Sequence, residues 1–453
     1  MSAMPHRCPA RRSLQARAGP RIGVERWPGL VWLLWFLLAG WTLDGAYALA
    51  QPRAKMAAGQ DTLGAVEDAE SSAEDVVTWL AKLRQVTIAG APYGVTGLPI
   101  VYYSRHAGWN YGAHLQLADY RRRPYRYKFI LHAVRSTEGK VDYFFRLKVP
   151  RISGTHFGML LEGSMEHNLR AHYYGRGNNT ANKFIDPSGK KVEDEEYYAY
   201  NLDEPRFIFS LLRQLYGPLS MSMGLGMERT DIKPRGQRSF YRDAGTPDGV
   251  VGGSTGYISA TIEWDTRDDE VMPLLGTYHE WSYESSRNSL LGFFLEQIDF
   301  QRYTFTDARH WLFSERFTMG HRTVFEVLTG SIPLYAYGEI GGSRRLKGLG
   351  GGDVLRGFDS QRFTDNVRFF TNTEARYLLC TTHWFRQHLE WKGILFMDTG
   401  RVWRRLQEVG PDGLHMTAGV GGRVYWNADF VIRVDLGFSA EQAYLGVKYR
   451  NLF

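Results

Sequence analysis

Cysteine and long apolar segments are scarce in this chain of 453 residues. Its two cysteines are Cys8, which lies in a predicted export signal, and Cys380, which would be alone once that signal is removed, so no intramolecular disulfide can form. The one continuous apolar run, residues 30–39, is shorter than the roughly 20 residues that a membrane-spanning helix needs. Run length and composition therefore exclude a helical membrane protein.

Sequence motifs for catalysis and metal binding are also missing. The chain has no HExxH pair, no paired-cysteine motif and no P-loop, and its 13 histidines are scattered. The three glycines at 350–352 precede no helical pattern, so they do not predict a nucleotide site. We therefore expect no enzymatic activity, no catalytic residue, no metal site and no cofactor.

The start of the sequence predicts a secretory signal peptide at residues 1–50. Arginines precede the apolar run, and the small residues Ala48 and Ala50 form a cleavage site before Gln51. An uncleaved anchor is the alternative. Removing the six arginines and two acidic residues of this segment lowers the formal net charge from +7 to +3. The mature chain then has no basic stripe, so we expect no nucleic-acid partner.

Residues 51–96 differ in composition from the rest, because they are rich in Ala, Gly, Asp and Glu and poor in aromatic residues. Within them, the segment 71–84 opens with Ser71 as a cap and Glu74 behind it, followed by apolar residues at helical spacing. The pattern predicts a periplasmic or plug-like extension with one short amphipathic helix. This helix either packs on the mouth of the following domain or recruits a partner.

Apolar and polar residues alternate through most of the chain after this extension. In one segment Phe430, Ile432 and Val434 alternate with Arg433 and Asp435, and aromatic residues make up 14% of the chain although the mean hydropathy is only −0.35. A period of two residues is the spacing of a β-strand with one apolar and one polar face. Because the chain carries an export signal, we interpret the apolar faces as lipid-facing; a soluble sandwich is the alternative.

About sixteen strands are predicted in residues 97–453, an even number that suits a single-chain outer-membrane barrel. The predicted fold class is all-β, a transmembrane antiparallel β-barrel of about 16 strands with a short helical N-terminal extension. The first candidate strand is 98–104 and the last is 444–453. The long polar segments predicted to be external or inward-folded loops are 168–195, 232–255 and 331–366.

The last ten residues have the pattern of a strand that faces lipid on one side. Leu445, Val447 and Tyr449 share one face, charged residues occupy the other, and Phe453 is the final residue. We therefore predict a terminal-strand signal formed by Tyr449 and Phe453, with outer-membrane lipid against the apolar face. An edge strand of a soluble sandwich would show a similar alternation.

Five short motifs follow one another in a fixed order. They are Tyr173-Tyr-Gly-Arg-Gly-Asn-Asn-Thr180, Trp264-Asp-Thr-Arg-Asp-Asp269, Val354-Leu-Arg-Gly-Phe358, Asn372-Thr-Glu-Ala-Arg376 and Phe396-Met-Asp-Thr-Gly400. Together with the aromatic terminal strand they resemble the barrel of the BamA/TamA superfamily of outer-membrane assembly and secretion factors. The resemblance covers roughly residues 98–453 and implies a location in the bacterial outer membrane.

The resemblance also implies a loop latch. In this family the long sixth loop folds back into the lumen, and its Arg-Gly-aromatic tip docks on acidic residues of the next two strands. The residues of this sequence that the resemblance assigns to the latch are Arg356, Gly357, Phe358, Glu374, Asp398 and Gly400. A guanidinium can bridge two carboxylates, which suits an arginine at this tip. The alternative is that Arg356 is a solvated loop charge.

For function, the resemblance implies assistance in inserting or translocating proteins or other envelope molecules across the outer membrane, through a seam between the first and last strands. Possible partners are unfolded client proteins and a periplasmic protein. The family's assembly factors usually carry periplasmic POTRA domains, and the 46 or so residues between the cleavage site and the first strand are expected to be too few for one. A passive or gated pore is the second hypothesis, and an adhesin-like barrel is the third.

Overall fold

The computed structural model describes residues 85–88, 91–104, 107–122, 125–180, 197–235, 239–240, 252–286, 299–384, 387–426 and 430–453. The predicted signal peptide at 1–50, most of the predicted extension at 51–96 and the predicted helix at 71–84 lie outside the described residues. No helix in the described ranges is long and apolar enough to cross a membrane.

The described chain is almost entirely β-structure. Its strands are β1 (Gln85–Ile88), β2 (Ala91–Ser104), β3 (Gly108–Asp119), β4 (Tyr127–Ser136), β5 (Val141–Val149), β6 (Phe157–His172), β7 (Ala199–Tyr216), β8 (Leu219–Pro234), β9 (Gly252–Asp265), β10 (Gly276–Ser286), β11 (Phe300–Leu312), β12 (Phe317–Gly330), β13 (Glu339–Ile340), β14 (Leu346–Lys347), β15 (Val367–Trp384), β16 (Gln387–Trp403), β17 (His415–Trp426), β18 (Phe430–Phe438) and β19 (Ala443–Lys448). Short 3₁₀ helices at Leu334–Gly338 and Leu406–Glu408 lie in connections.

Sixteen of these strands, β2–β12 and β15–β19, form one antiparallel sheet in which neighbours along the chain pair with each other. The two ends of the sheet approach each other, because the Tyr449 hydroxyl just after β19 hydrogen-bonds the main chain of Val101 on β2, and the ring centroids of Phe430 on β18 and His114 on β3 lie 5.6 Å apart. The sheet therefore curls into a nearly closed barrel. The predicted all-β barrel of about 16 strands is therefore confirmed. Strand β1 forms a hairpin with the start of β2, pairing Gln85 with Gly94 and Ile88 with Ala91.

Two predicted strand boundaries are wrong. β2 begins at Ala91 rather than at residue 98, because its backbone pairs continuously with β3 although Gly97 and Pro99 interrupt the alternation of side chains. β19 ends at Lys448 rather than at the last residue, because the chain leaves the sheet there. Pattern alone identified the strands but not the points where the hydrogen-bond ladder starts and stops.

The side chains of the barrel wall alternate between interior and exterior. On β16, Leu395 is 64% exposed and Met397 45% exposed, whereas the intervening Phe396 and the following Asp398 are buried in the lumen. The interior is therefore polar and the exterior apolar on this strand, as in other membrane barrels.

On β4–β8 most of the outward side chains are apolar. One outward row in hydrogen-bond register consists of Phe129, Leu147, Leu161, Phe209 and Leu225. Such a row has no hydrogen-bonding side chain and can contact hydrocarbon without a desolvation cost. This wall has an apolar outward surface, as the alternation in the sequence predicted.

On β10, β11, β12 and β15 two adjacent outward rows are polar instead. These outward polar rows are His279, Asp307, Thr323 and Thr371, followed by Thr277, Arg309, His321 and Thr373. Asp307 pairs with His279 at 2.7 Å and with Arg309 at 2.9 Å, and His321 lies 2.9 Å from the Thr373 hydroxyl. The residues of the rows satisfy much of their hydrogen-bonding capacity among themselves. This lowers the cost of placing polar side chains on the outward face of a membrane barrel.

The connection between β12 and β15, residues 331–366, folds into the barrel interior, and we call it the long loop. Its apolar residues pack with wall residues in one cluster, which contains Ile340, Leu346, Leu349, Val354, Leu355, Phe358 and Phe363 of the loop and Val324, Phe370 and Val402 of the wall. Burial of this apolar surface holds the loop inside the lumen. Residues 331–366, predicted to be an external or inward-folded loop, therefore form an inward-folded loop.

Candidate functional site

The tip of the long loop approaches the wall closely at Gly357. This glycine has a φ of 117°, a conformation that residues with a side chain rarely adopt. A Cβ at Gly357 would lie 3.1 Å from the Cβ of Ser439, just after β18, and the Ser439 hydroxyl donates to the Gly357 carbonyl oxygen at 2.7 Å. A glycine is therefore required for the tip to reach this part of the wall.

Arg356 sits beside Gly357 and binds two carboxylates of the inner wall. Its Nη1 lies 2.7 Å from Glu374 Oε1 on β15, and its Nη2 and Nε lie 2.7 Å and 2.8 Å from the two oxygens of Asp398 on β16. Its backbone N–H also donates to Asp398 at 3.1 Å. All three side chains are 0% exposed, so the solvent does not weaken these contacts.

Further contacts fix the plane of the Arg356 guanidinium. Its central carbon lies 3.5 Å from the centroid of the Phe396 ring, which places the cation on the aromatic face. Asn372 donates to Asp398 at 2.8 Å and to the Val354 carbonyl oxygen at 2.7 Å, so it joins wall and loop. Burial would lower the pKa of Arg356, but Asp398 and Glu374 raise that pKa above its ordinary value. The guanidinium is therefore always charged.

The other predicted latch residues lie next to this ion pair. Phe358 is 3% exposed and packs against Phe363, with ring centroids 5.2 Å apart. Gly400, on β16, leaves room for the loop, because a Cβ there would lie 3.0 Å from the Phe370 Cβ and 3.1 Å from the Leu349 Cδ1. The structure thus brings Arg356, Gly357, Phe358, Glu374, Asp398 and Gly400 to one place in the lumen.

Sequence analysis missed a second layer of charges around Glu374. Arg423 on β17 bridges Glu374 and Asp435, each at 2.6 Å, and Arg376 contacts Glu374 at 3.0 Å. Arg433 lies 3.2 Å from Asp435. The inward alternation of Arg433 and Asp435 was visible in the sequence, but their contact with the loop site depends on pairing across three strands.

Arg322, on β12, ties a second part of the loop tip to the wall. It donates to the Asp353 carbonyl oxygen at 2.6 Å and to Asn372 Oδ1 at 2.6 Å. The Asp353 carboxylate pairs with Arg433 at 2.6 Å and Arg450 at 2.8 Å. Burial would raise the pKa of Asp353, but these cations hold that pKa well below its usual range. The loop is therefore attached at both ends of its tip.

The outward face predicted for the terminal strand is seen in β19, where Leu445 is 70% exposed, but Phe453 does not lie on it. After β19 the chain turns into the lumen, and we call residues 449–453 the inward segment. Leu452 is 0% and Phe453 6% exposed, and they pack with Ala308 on β11. The Tyr449 ring lies 6.0 Å from that of the buried Phe430. In the inward segment, the apolar side chains of Leu452 and Phe453 pack against the inner wall.

Within the described residues no strand pairing joins β19 to β2, and we call this junction the seam. β19 pairs with β18 from Phe438–Ala443 to Arg433–Lys448, and β1 covers the start of β2. Within the described ranges, residues 430–432 of β18 have no partner from β19, and residues 95–104 of β2 pair on one side only, with β3. The Tyr449 hydroxyl hydrogen-bonds the main chain of Val101 in this stretch of β2.

One acidic cluster in the lumen has the spacing of a metal site. The carboxylates of Glu204, Glu228 and Glu339 approach each other within 4.8 Å. Arg206 lies among them, 2.6 Å from Glu339 and 2.9 Å from Glu228, and Lys347 lies 3.7 Å from Glu339. The arginine already supplies the positive charge that a cation would bring, so the cluster fits an ion-pair network rather than a metal.

Both the sequence and the fold are similar to those of known proteins. The model of the Omp85 superfamily domain matches residues 165–444. The fold is similar to that of CdiB from Escherichia coli, with a TM-score of 0.51 and 9% identity over 79% of this chain and 62% of that chain. It is also similar to BamA from Haemophilus ducreyi lacking POTRA domains 1-3, with a TM-score of 0.46 and 11% identity over 79% of this chain and 69% of that chain. No curated protein sequence matches significantly.

The family match spans more than half of the chain and includes the long loop and the strands that hold it. The resemblance inferred from the motifs is thereby confirmed, and with it the location in the bacterial outer membrane. The chain belongs to the Omp85 superfamily of outer-membrane β-barrels.

Proposed function

We propose that this barrel assists the insertion or translocation of proteins or other envelope molecules across the outer membrane. The observation that carries the proposal is the open seam, where residues 95–104 of β2 pair on one side only, with β3, and residues 430–432 of β18 have no partner from β19 among the described residues. An unpaired strand edge offers main-chain donors and acceptors to an incoming strand. An unfolded client could pair there before it enters the membrane.

The latch gives the seam a rigid support. Arg356 holds the long loop to β15 and β16, and Ser439 holds Gly357 beside the end of β18. A wall that is fixed from β15 to β18 confines opening to the unpaired edges. In this account the latch residues position the seam and do not contact the client. A periplasmic protein that delivers clients is the partner that the account requires.

The test is the folding of unfolded outer-membrane barrel clients in liposomes that contain this protein. We expect folding to be faster than in empty liposomes, and slower again when Arg356→Ala replaces the wild-type protein. Arg405→Ala is the matched control, because Arg405 is 73% exposed and its pair with Glu408 is long, at 3.8 Å. No acceleration by a correctly folded wild-type barrel would contradict the proposal, and ion conductance in the same liposomes would support the pore.

A further inference from the structure

We propose that the inner wall of β11, β12 and β15 carries a binding pocket for an extended peptide with an aromatic side chain, and that the inward segment fills this pocket in cis. The ring of Phe453 occupies the pocket and is 6% exposed. The guanidinium carbons of Arg322 and Arg376 lie 5.3 Å and 5.2 Å from its centroid, and the ring of His310 lies 5.6 Å away. Two cations and a flat ring form an aromatic-binding cage.

Gly320 creates the space for the aromatic ring. It lies on β12, in register with His310 on β11 and with Glu374 on β15. A Cβ at Gly320 would be 2.9 Å from the Phe453 Cε2 and 3.0 Å from the Arg376 Nη2, so a side chain there would have to displace the Phe453 ring or the Arg376 guanidinium. The pocket is therefore a feature of the wall itself, and its shape selects a planar side chain.

The remaining contacts recognise main chain rather than sequence. Arg322 Nη1 donates to the Leu452 carbonyl oxygen at 3.0 Å, and Arg344 of the long loop donates to the Asn451 carbonyl oxygen at 2.5 Å. Donors that bind successive carbonyl oxygens accept any extended peptide, while a side-chain pocket supplies the specificity. The ligand class is thus an extended segment of protein with an aromatic residue at the position of Phe453.

Buried polar groups beside the pocket have unused hydrogen-bonding capacity. Both ring nitrogens of His310, the Thr318 hydroxyl and Arg376 Nη2 have no hydrogen-bond partner in the described part of the chain. These residues are 3%, 5% and 2% exposed, respectively. Buried polar atoms in proteins usually have a partner, which a protein group, a water or a ligand can supply. A peptide with a polar side chain or backbone group beside its aromatic residue would pair with them.

Occupation of the pocket is linked to the long loop through Arg322. The same guanidinium that binds Leu452 also donates to the Asp353 carbonyl oxygen, and Arg450 of the inward segment pairs with the Asp353 carboxylate at 2.8 Å. Exchange of the inward segment for another peptide would change the contacts of the loop tip. This inference concerns a ligand of the lumen and does not depend on the proposed folding of clients.

The test is binding of a synthetic peptide to the full-length protein in detergent micelles. The inward segment is part of the same chain and competes with an added peptide at a high effective concentration. The Phe453→Ala variant is therefore used, because its inward segment should bind the pocket more weakly. A fluorescein-labelled peptide with the sequence of residues 448–453 is compared by anisotropy with the same peptide ending in alanine. We expect the first peptide to bind at least about tenfold more tightly, because only it fills the pocket.

A second substitution in the same background tests the place of binding. Gly320→Val fills the pocket and should weaken the phenylalanine peptide by about tenfold or more, whereas Gly422→Val, at a β17 site where a Cβ would meet nothing within 4 Å, should not. Equal binding of the two peptides, or no effect of Gly320→Val, would overturn the proposal. The peptide comparison needs no pocket variant, so it decides the matter even if Gly320→Val does not fold.

The two proposals fail separately. A protein that discriminates the peptides but does not speed client folding keeps the pocket and loses the assembly role. A protein that speeds client folding but binds both peptides equally keeps the assembly role and loses the pocket.

Discussion

Arg356 and Asp398 form a two-pronged ion pair in which neither side chain is exposed to solvent. Arg356 also supplies a hydrogen bond to Glu374, so its removal would leave two buried carboxylates with reduced compensation. Loss of one partner of a buried pair costs about 3–5 kcal/mol, mainly because the other charge remains buried.

We therefore expect Arg356→Ala to release the long loop and to lower the free energy of unfolding by about 3–5 kcal/mol. Limited proteolysis should then cut within residues 331–366, while the barrel strands stay protected. Arg405→Ala, at the 73% exposed arginine, should leave the loop resistant. Unchanged protease resistance of the loop in Arg356→Ala would show that Arg356 does not hold it.

Glu374 is the acidic centre of the network, because it contacts Arg356, Arg376 and Arg423. Glu374→Gln keeps the shape and removes the charge, which leaves three guanidinium groups with less negative charge between them. We expect a loss of about 3 kcal/mol or more in urea unfolding. Glu408→Gln, where the glutamate is 48% exposed, should change the free energy of unfolding by less than about 1 kcal/mol. Similar midpoints for the two variants would argue against a shared network.

The backbone at Gly357 gives a prediction that does not involve charge. Gly357→Ala must adopt a φ of 117° and place a Cβ 3.1 Å from that of Ser439, so we expect a loss of about 1–3 kcal/mol and a more mobile tip. Gly154→Ala is the matched control, because Gly154 has a φ of 76° but a Cβ there would meet nothing within 4 Å. Hydrogen exchange at the loop tip distinguishes the variants. Equal exchange in both would mean that close approach to Ser439 is unimportant.

The latch acids were assigned by the family resemblance, and the local alternation of the strands supported the assignment. Asp398 alternates with the outward Met397, and Glu374 shares one strand face with Asn372 and Arg376. The inward segment could not be predicted in this way. Its alternation is the same for a strand against lipid and for a segment against an inner wall, and the inner position depends on the space that Gly320, far away in sequence, leaves for Phe453. The outward polar rows of β10, β11, β12 and β15 were not predicted, because their residues become neighbours only when these strands pair in register.

The outward polar rows give a prediction for the membrane face. Asp307→Ala would leave Arg309 without its acidic partner on a wall that faces lipid, and we expect destabilisation of about 2–4 kcal/mol in liposomes. Asp231→Ala is the control, because Asp231 and its partner Arg229 are 41% and 65% exposed at the end of β8. Urea unfolding followed by tryptophan fluorescence measures both. An equal loss in the two variants would mean that the rows are exposed to water.

The central claim is that clients pair with the unpaired edge of β2, and site-specific photo-crosslinking tests it most directly. A photoreactive residue at Val101, which lies on this edge and is 63% exposed, is compared with one at Leu225, which is 48% exposed on the β8 wall. During folding of a labelled barrel client in liposomes, we predict crosslinks at position 101 and none at position 225. Equal crosslinking at the two positions, or crosslinking at position 225 alone, would contradict the claim that clients use the seam.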